Sequence, residues 1–261
     1  MRVKMPTYTP TKDKWLPNVP GLTFYPDSGY FFCDQPIPHR LTEVVSKSDY
    51  FDRIRNGEYG KSKQKDLEES LKFGNVHHDC LNAHFRGRSY YSQPFQKSVQ
   101  RLIDDDIWKV WDVVGSEYRM VDLRRGISGT ADLILKHKKD KNRFAIADLK
   151  TKKRAYLNAN NKPRMPHGNH KSQVGGYINL LNLTWPELTV EDCFVIYASP
   201  NMVDIQYYDW FDCLTDYEAA RSLFFDNLAK IDPSLAIEES TTEQEIIIEV
   251  EQEEENGEAL F

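Results

Sequence analysis

The sequence predicts an α/β protein, because stretches with helical periodicity alternate with pairs of strand-like runs. Residues 62–85 place apolar side chains at helical spacing. Residues 127–136 and 143–150 are predicted to be two strands joined by the polar turn HKKDKN. A second strand pair is expected at 193–199 and 203–210. This alternation of elements is typical of α/β proteins.

The other elements follow from periodicity and from residues that end helices. Residues 1–40 are rich in Pro and aromatic residues without a helical period, so we expect an extended arm packed on the body. One folded domain is expected over residues 41–237, with a further strand and four further helices. Their predicted ranges are a helix at 41–56 that ends at Gly57, a helix at 93–107, a strand at 109–122, a helix in the C-terminal part of 167–183, and a helix at 215–231 before Pro233.

Composition excludes several classes of protein. The chain has 261 residues, 40% of them hydrophobic, which is enough for a sizeable core. No apolar run approaches the roughly 20 residues of a membrane span, and the N-terminus lacks the apolar run of a secretory signal, so we expect a cytoplasmic protein. The four cysteines are scattered without a CxxC pair, which argues against a zinc ribbon and favours reduced thiols.

Charge is distributed unevenly along the chain. The formal net charge is −6, but ten Glu and no Lys or Arg lie between Glu238 and the C-terminus. Without those ten glutamates the net charge of residues 1–237 is +4. A mildly basic body therefore precedes an acidic tail at 238–261, and such a body permits a polyanionic partner.

The predicted hairpin brings two carboxylates together. A turn centred near Asp140 places Asp132 opposite Asp148 in an antiparallel pair. Directly opposed residues have Cβ atoms only about 5 Å apart. Two carboxylates that close repel each other, so a cationic group should sit between them. Lys150 lies two residues beyond Asp148 and therefore shares its face of the strand.

An Asp-x-Lys sequence on a strand has a specific chemical use. Asp132, Asp148 and the backbone carbonyl of Leu149 can together hold a hard divalent cation. Such an ion neutralises charge on a phosphodiester and lowers the pKa of a bound water. Lys150 can orient that water or stabilise charge that develops on the phosphorus. Asp-x-Lys also occurs often by chance, and the alternative is a plain hairpin with a surface ion pair.

Four short motifs carry a resemblance to a known family. They are Gly74-x-x-x-His78, Gly129-Thr-Ala-Asp132, Asp148-Leu-Lys150-Thr151 and Gln173-x-x-x-Tyr177. Over residues 70–200, their order and spacing resemble the PD-(D/E)XK nuclease superfamily. Within it, the chain is most similar to the RecB-like branch, which includes phage exonucleases, the mitochondrial genome maintenance exonuclease and the CRISPR adaptation nuclease.

The resemblance implies a fold, a site and an activity. The fold is restriction-endonuclease-like, an α/β architecture with a mixed central sheet flanked by helices, and the nuclease domain would span 41–237. In this family the residues at the positions of His78, Asp132 and Asp148 bind Mg²⁺ or Mn²⁺. The residue at Lys150 assists catalysis with the two aspartates, and those at Gln173 and Tyr177 position the DNA strand.

The implied activity is that of a metal-dependent DNA exonuclease acting on single strands or DNA ends. It would serve phage-type replication, recombination or DNA degradation, in the host cytoplasm if phage-encoded, and leave a 3′-hydroxyl and a 5′-phosphate. A structure-specific endonuclease, or a non-catalytic nucleic-acid-binding protein of the same fold, is the alternative.

Two residues near the motifs leave a choice open. His77 lies about 100° from His78 around the helix, but His78 shares the face of Leu67, Leu71 and Leu81. Gly74, one turn earlier, permits close approach. A structural histidine is the alternative, and an imidazole ligand would shift the preference towards Mn²⁺.

Glu117, on the strand before the hairpin, is either a further site carboxylate or a solvated strand residue, and the sequence slightly favours the latter.

A basic loop follows the Asp-x-Lys strand. The run TKKRAYLNANNKPRMPHGNHK contains six Lys or Arg and no acidic residue, so we expect it to contact the DNA backbone, although a solvated loop is the alternative. Tyr156 and the two histidines of the run could stack on single-stranded bases. The candidate backbone contacts are Thr151, Lys152, Lys153, Arg154, Arg164 and Lys171.

The tail and the cysteines give two further expectations. The acidic segment 238–261 ends in Leu260 and Phe261 and could dock a replication or recombination protein, compete with DNA, or simply aid solubility. Cys193 and Cys213 are twenty residues apart with no cysteine cluster near them, so we expect no iron–sulfur centre.

Overall fold

A mixed six-stranded sheet forms the centre of the protein. The computed structural model describes residues 14–46, 60–152 and 169–231, together with the backbone of 156–157 and 163–164. The strands of this sheet are β4 (His39–Arg40), β5 (Trp111–Asp122), β6 (Ile127–His137), β7 (Arg143–Thr151), β10 (Thr189–Ala198) and β11 (Val203–Tyr208). Strands β11, β10, β7 and β6 lie side by side in that order, and both β4 and β5 pair with β6.

Pairing in this sheet is partly parallel. β7 pairs with β10 in parallel, as does β4 with β6, and the other pairs are antiparallel. Two smaller antiparallel sheets accompany it: β1 (Leu22–Tyr25), β2 (Gly29–Phe32) and β3 (Gln35–Pro36) form one, and β8 (Tyr156–Leu157) and β9 (Pro163–Arg164) form the other.

Helices cover both faces of the central sheet. They are α1 (Leu41–Val44), α2 (Gly60–Phe85), α3 (Gln96–Ile103), a short 3₁₀ helix (Asp106–Lys109), α4 (Lys171–Thr184) and α5 (Trp210–Ile231). Side chains of α1, α4 and α5 share one buried cluster with Ile134 and Ile146. Side chains of α2, α3 and the 3₁₀ helix share a second cluster with Leu133 and Ala147. The predicted mixed α/β sheet flanked by helices is therefore confirmed, and it is compatible with a restriction-endonuclease-like fold.

Strand alternation decides which residues of β7 face each helical layer. Phe144 and Ile146 belong to the cluster beneath α4, whereas Ala145 and Ala147 belong to the cluster beneath α2. Asp148 continues the first series and is fully buried. The sheet therefore presents the Asp-x-Lys acid towards α4.

The predicted inward face of the long helix is wrong in part. Leu71 is 45% exposed, although the pattern placed it on the buried stripe. The buried side chains are those of Phe73, His77, Cys80 and Leu81. Helix α3 packs beside α2 and covers the face of α2 that carries His77. On this face the aromatic rings of Phe73 and Phe95 lie 4.8 Å apart.

Several predictions fall partly outside the described residues. The first 13 residues of the predicted arm, residues 47–56 of the predicted helix at 41–56, and the acidic tail lie there. In the described part of the arm, Leu16, Val19 and Phe32 belong to the buried cluster that α4 and α5 share. Strand β4, at the end of the arm, pairs with β6 of the central sheet. No helix in the described ranges combines the length and the apolar character needed to cross a membrane.

Helix α4 approaches α5 at its glycines. A Cβ atom at Gly175 would collide with the backbone carbonyl of Cys213 at the start of α5. Because that obstacle is backbone, it cannot rotate away as a side chain could. Close contact between α4 and α5 therefore requires glycine here, and α4 is the helix that carries Gln173 and Tyr177.

We predict that Gly175→Ala destabilises the protein despite the better helix propensity of alanine. The propensity gain is about 1 kcal/mol, whereas overpacking against backbone costs about 1–3 kcal/mol or more. Denaturant unfolding followed by circular dichroism measures the difference in the free energy of unfolding. Asn182→Ala, at an exposed position of the same helix, is the control and should not destabilise. A Gly175→Ala protein more stable than wild type would contradict the packing described here.

Candidate active site

Strands β6 and β7 bring Asp132 and Asp148 together where their pairing ends. Leu133 pairs with Ala147, and Asp132 and Asp148 are the next residues along the two strands. This is the register that the turn near Asp140 predicts. Asp132 Oδ2 accepts a hydrogen bond of 2.6 Å from the backbone N–H of Leu149, so the Asp132 carboxylate is held against β7.

Strand β5 adds a third carboxylate from the other side of β6. Ser116 pairs with Leu133, and the residues that follow this pair are Glu117 on β5 and Asp132 on β6. Glu117, Asp132 and Asp148 therefore occupy neighbouring positions across three adjacent strands. The sequence predicted a pair of acids, Asp132 and Asp148, and Glu117 makes this pair a row of three.

Glu117 has an unusual backbone conformation. Its φ is 49°, in the left-handed region that residues other than glycine rarely adopt. Such a conformation costs about 1–2 kcal/mol, and residues of this kind cluster at functional sites. The sequence slightly favoured a solvated strand residue here, and 39% of the side chain is exposed, but the carboxylate also contacts His78. The turn at residues 123–126 could have revealed it, because a hairpin centred there sets Glu117 opposite Asp132.

His78 reaches these carboxylates from helix α2. Its Nδ1 lies 3.0 Å from Glu117 Oε1 and 3.6 Å from Asp132 Oδ1. One potential ligand atom from each of the three side chains lies within 4.8 Å of the other two, so this group could hold a metal ion. We call His78, Glu117 and Asp132 the metal group.

The neighbouring His77 has a different environment. It is completely buried, with ring nitrogens 2.6 Å from the Phe73 carbonyl oxygen and 2.6 Å from Ser98 Oγ. One nitrogen is thereby occupied within α2 and the other in the contact between α2 and α3. Of the two adjacent histidines, His78 is the one that faces the carboxylates.

Burial and crowding perturb the titration of the metal group. Burial, assisted by the charge of Asp148, raises the pKa of Asp132 to about 7. Burial opposes charge on His78, but the carboxylates of Asp132 and Glu117 outweigh it and raise the pKa of His78 to about 9. In the absence of an ion, the cluster therefore depends on positive charge at His78 to limit repulsion.

The donor set fits a divalent cation. Two carboxylates and an imidazole suit Mn²⁺ or Mg²⁺, with the imidazole favouring the former. The fully buried Asp148 lies beside this group, and a cation held there would offset its charge as well.

Lys150 connects the acids to helix α4. Its Nζ lies 2.9 Å from Asp148 Oδ2 and donates to Asp148 Oδ1 at 3.1 Å and to Gln173 Oε1 at 3.1 Å. Burial opposes its charge, but Asp148 and Asp132 outweigh burial and raise the pKa of Lys150 above its ordinary value. Lys150 is therefore a fixed ammonium group.

The motif on α4 holds that ammonium group. Gln173 Nε2 donates to the Tyr177 hydroxyl at 2.9 Å, while Gln173 Oε1 accepts from Lys150. Burial, with the charges of Asp132 and Asp148, raises the pKa of Tyr177 well above its ordinary value, so the phenol stays neutral. The ring is only 3% exposed. In this geometry, Gln173 and Tyr177 orient Lys150. Little of the Tyr177 surface is available for the predicted contact with DNA.

The other predicted site residues are spread around the end of β7. Leu149 lines the space between His78 and Asp132. Thr151 and Lys152 are half-buried there, whereas Lys171 forms an ion pair with Asp212 of α5, with 2.7 Å between Nζ and Oδ2. Lys153 and Arg154 lie outside the described residues, and only the backbone of Arg164 is described. Their contact with DNA stays a prediction.

Comparisons with known proteins give a distant likeness in structure. No protein-family model and no curated protein sequence matches the chain. Among solved structures, SSO0001 is 16% identical with a TM-score of 0.37, covering 70% of this chain and 75% of its own. A provisionally named exonuclease from Eubacterium rectale is 12% identical with a TM-score of 0.40, covering 61% of this chain and 66% of its own. Both TM-scores are below 0.5, so both likenesses are distant.

We predict that Mn²⁺ stabilises the protein through the metal group. At a hundred times its Kd, a ligand adds about 2.7 kcal/mol, or a rise in Tm of about 5–10 °C for a domain of this size. Glu117→Gln should abolish most of that rise. Without metal it should leave Tm unchanged or higher, since it removes one of the mutually repelling charges. Differential scanning fluorimetry with and without Mn²⁺ measures both effects.

Asp112→Asn is the matched control for this experiment. Asp112 is an exposed acid near the start of the same strand, β5, outside the metal group. It should keep the full response to Mn²⁺. An equal response in wild type and Glu117→Gln would remove Glu117 from the metal group.

Proposed function

We propose that this protein is a metal-dependent deoxyribonuclease that hydrolyses phosphodiester bonds and acts as an exonuclease on DNA ends. One observation carries the proposal. Three adjacent strands present Glu117, Asp132 and Asp148 in one row, with the His78 imidazole over the first two and the Lys150 ammonium on the third. Carboxylates and a lysine grouped in this way suit the charge requirements of phosphodiester hydrolysis.

The metal group supplies the first part of the chemistry. His78, Glu117 and Asp132 would hold the cation, with Asp148 beside them. A divalent ion bound there would offset the charge of the phosphodiester and lower the pKa of an attacking water. The protein's own contribution is rigidity, because the Leu149 N–H orients the Asp132 carboxylate.

Lys150 supplies the second part. Because it remains an ammonium group between Asp148 and Gln173, it acts as a hydrogen-bond donor and a positive charge rather than as a base. Negative charge that builds up on the phosphoryl oxygens during attack would be stabilised by such a group. Gln173 and Tyr177 are positioning residues, since they act by fixing Lys150.

DNA as the substrate is supported by charge and by the resemblance of the motifs. Residues 1–237 carry a net charge of +4, and a run with six basic residues follows β7 directly. A polyanion is the natural partner of such a surface. The four motifs resemble those of the RecB-like exonucleases, which supports action on DNA ends over cutting within a strand. The same resemblance supports a place in phage-type replication, recombination or degradation of DNA.

We predict that the protein degrades linear DNA in the presence of Mn²⁺ or Mg²⁺ and not in EDTA. Single- and double-stranded substrates, each in linear and circular form, should be incubated and resolved on gels. Lys150→Met should lower the rate by at least a hundredfold, because loss of one stabilising donor typically costs that much. Lys109→Met is the matched control, since Lys109 is 76% exposed in the 3₁₀ helix, and it should keep wild-type activity.

The substrate series distinguishes the alternatives. Cleavage of circular DNA would replace the exonuclease by an endonuclease. Binding of DNA without any metal-dependent cleavage would identify a non-catalytic binding protein. Cleavage that is unchanged in Lys150→Met would contradict the assigned role of the lysine.

A further inference from the structure

An arginine-lined cleft of about 360 Å³ adjoins the metal group. Its walls come from the segment before β2, from the C-terminal end of α2 and from the middle of β5. Arg86, Arg88 and Arg119 line it, and so does Glu117. Because Glu117 belongs to both the cleft and the metal group, the cleft opens directly beside the candidate metal position.

Aromatic side chains hold two of these guanidinium groups in place. Arg86 lies 4.3 Å from the centre of the Trp15 ring, and its Nε donates to Asn82 Oδ1 at 2.9 Å. Arg119 lies 5.4 Å from the centre of the Phe24 ring. A stacked guanidinium has a fixed plane and loses less entropy when it binds an anion. Trp15 and Phe24 both belong to the segment that precedes β2, so that segment shapes the cleft.

The charge of the cleft selects an anionic ligand. Three guanidinium groups face one carboxylate, that of Glu117, which contacts His78 on its other side. Guanidinium groups bind phosphate oxygens through paired hydrogen bonds, an arrangement that lysine cannot reproduce. When one phosphate of a chain lies at the metal group, the neighbouring phosphates can therefore pair with the guanidinium groups of this cleft.

We propose that this cleft binds backbone phosphates of the DNA strand next to the bond that is cut. The proposal rests on the proposed function, which makes DNA the substrate, and adds where the strand lies. The strand enters along α2 and β5, at the end of the acid row that carries Glu117 and opposite the end that carries Asp148 and Lys150. Trp15 and Phe24 then contribute to binding by holding Arg86 and Arg119.

Binding without cleavage tests the proposal. Fluorescence anisotropy of a labelled single-stranded oligonucleotide, in EDTA and across a range of salt, gives Kd and its salt dependence. Arg119→Gln and Arg88→Gln should each weaken binding roughly five- to tenfold at low salt. Each should also lower the slope of log Kd against log salt by about 0.7 to 1, as loss of one phosphate contact does.

A matched control separates the cleft from general basic charge. Arg124→Gln removes an exposed arginine from the turn between β5 and β6, outside the cleft, and should bind within twofold of wild type. Melting temperatures of the three variants confirm that each is folded. Cleft variants that bind as tightly as wild type would overturn the proposal, as would wild-type protein that does not bind DNA at low salt.

Uncharged linkages locate the contact on the strand. A series of oligonucleotides, each with a single methylphosphonate linkage, should show one or two positions where wild-type binding weakens. Arg119→Gln should be insensitive to methylphosphonate at one of these positions, because the contact is already lost. Retained sensitivity at every position in the cleft variants would contradict the proposal.

These outcomes stay separate from the test of nuclease activity. Binding in EDTA requires no catalysis, so a protein that binds through the cleft but never cuts would refute the proposed function alone. A protein that cuts DNA but binds it independently of Arg88 and Arg119 would refute the cleft alone.

Discussion

Repulsion among three neighbouring carboxylates is the constraint on which the candidate site depends. Glu117, Asp132 and Asp148 occupy one row of the sheet, and Asp148 is fully buried. Buried like charges are tolerated only when cations or hydrogen-bond donors compensate them. Here His78 compensates at one end of the row and Lys150 at the other.

The two helical layers supply or hold these compensating groups from opposite faces of the sheet. Helix α2 carries His78 on one face, whereas α4 carries Gln173 and Tyr177 on the other. Each layer has its own anchoring contact. His77 bonds to Ser98 of α3 and so fixes α2, and Gly175 permits the approach of α5 that fixes α4. The geometry of the site is therefore a consequence of packing on both sides.

The left-handed conformation of Glu117 places strain at the site itself. Where β5 should continue as a regular strand, the backbone departs from strand geometry and its carboxylate contacts His78. A strained residue persists only where surrounding structure compels it, and the long antiparallel pairing of β5 with β6 does so here. The strained backbone at Glu117 therefore lowers local stability and places its carboxylate beside the His78 imidazole. Strained residues of this kind cluster at functional sites.

The sequence by itself determined the hairpin, the placement of Asp132 beside Asp148, and the shared face of Asp148 and Lys150. These features depend on turn position and strand period, which act over about twenty residues. Only the tertiary structure decided that Glu117 joins the site, that Leu71 is exposed while His77 is buried, and that Trp15 lies against Arg86. Such contacts join elements far apart in the chain, and they depend on how whole helices and strands pack, which no local period encodes.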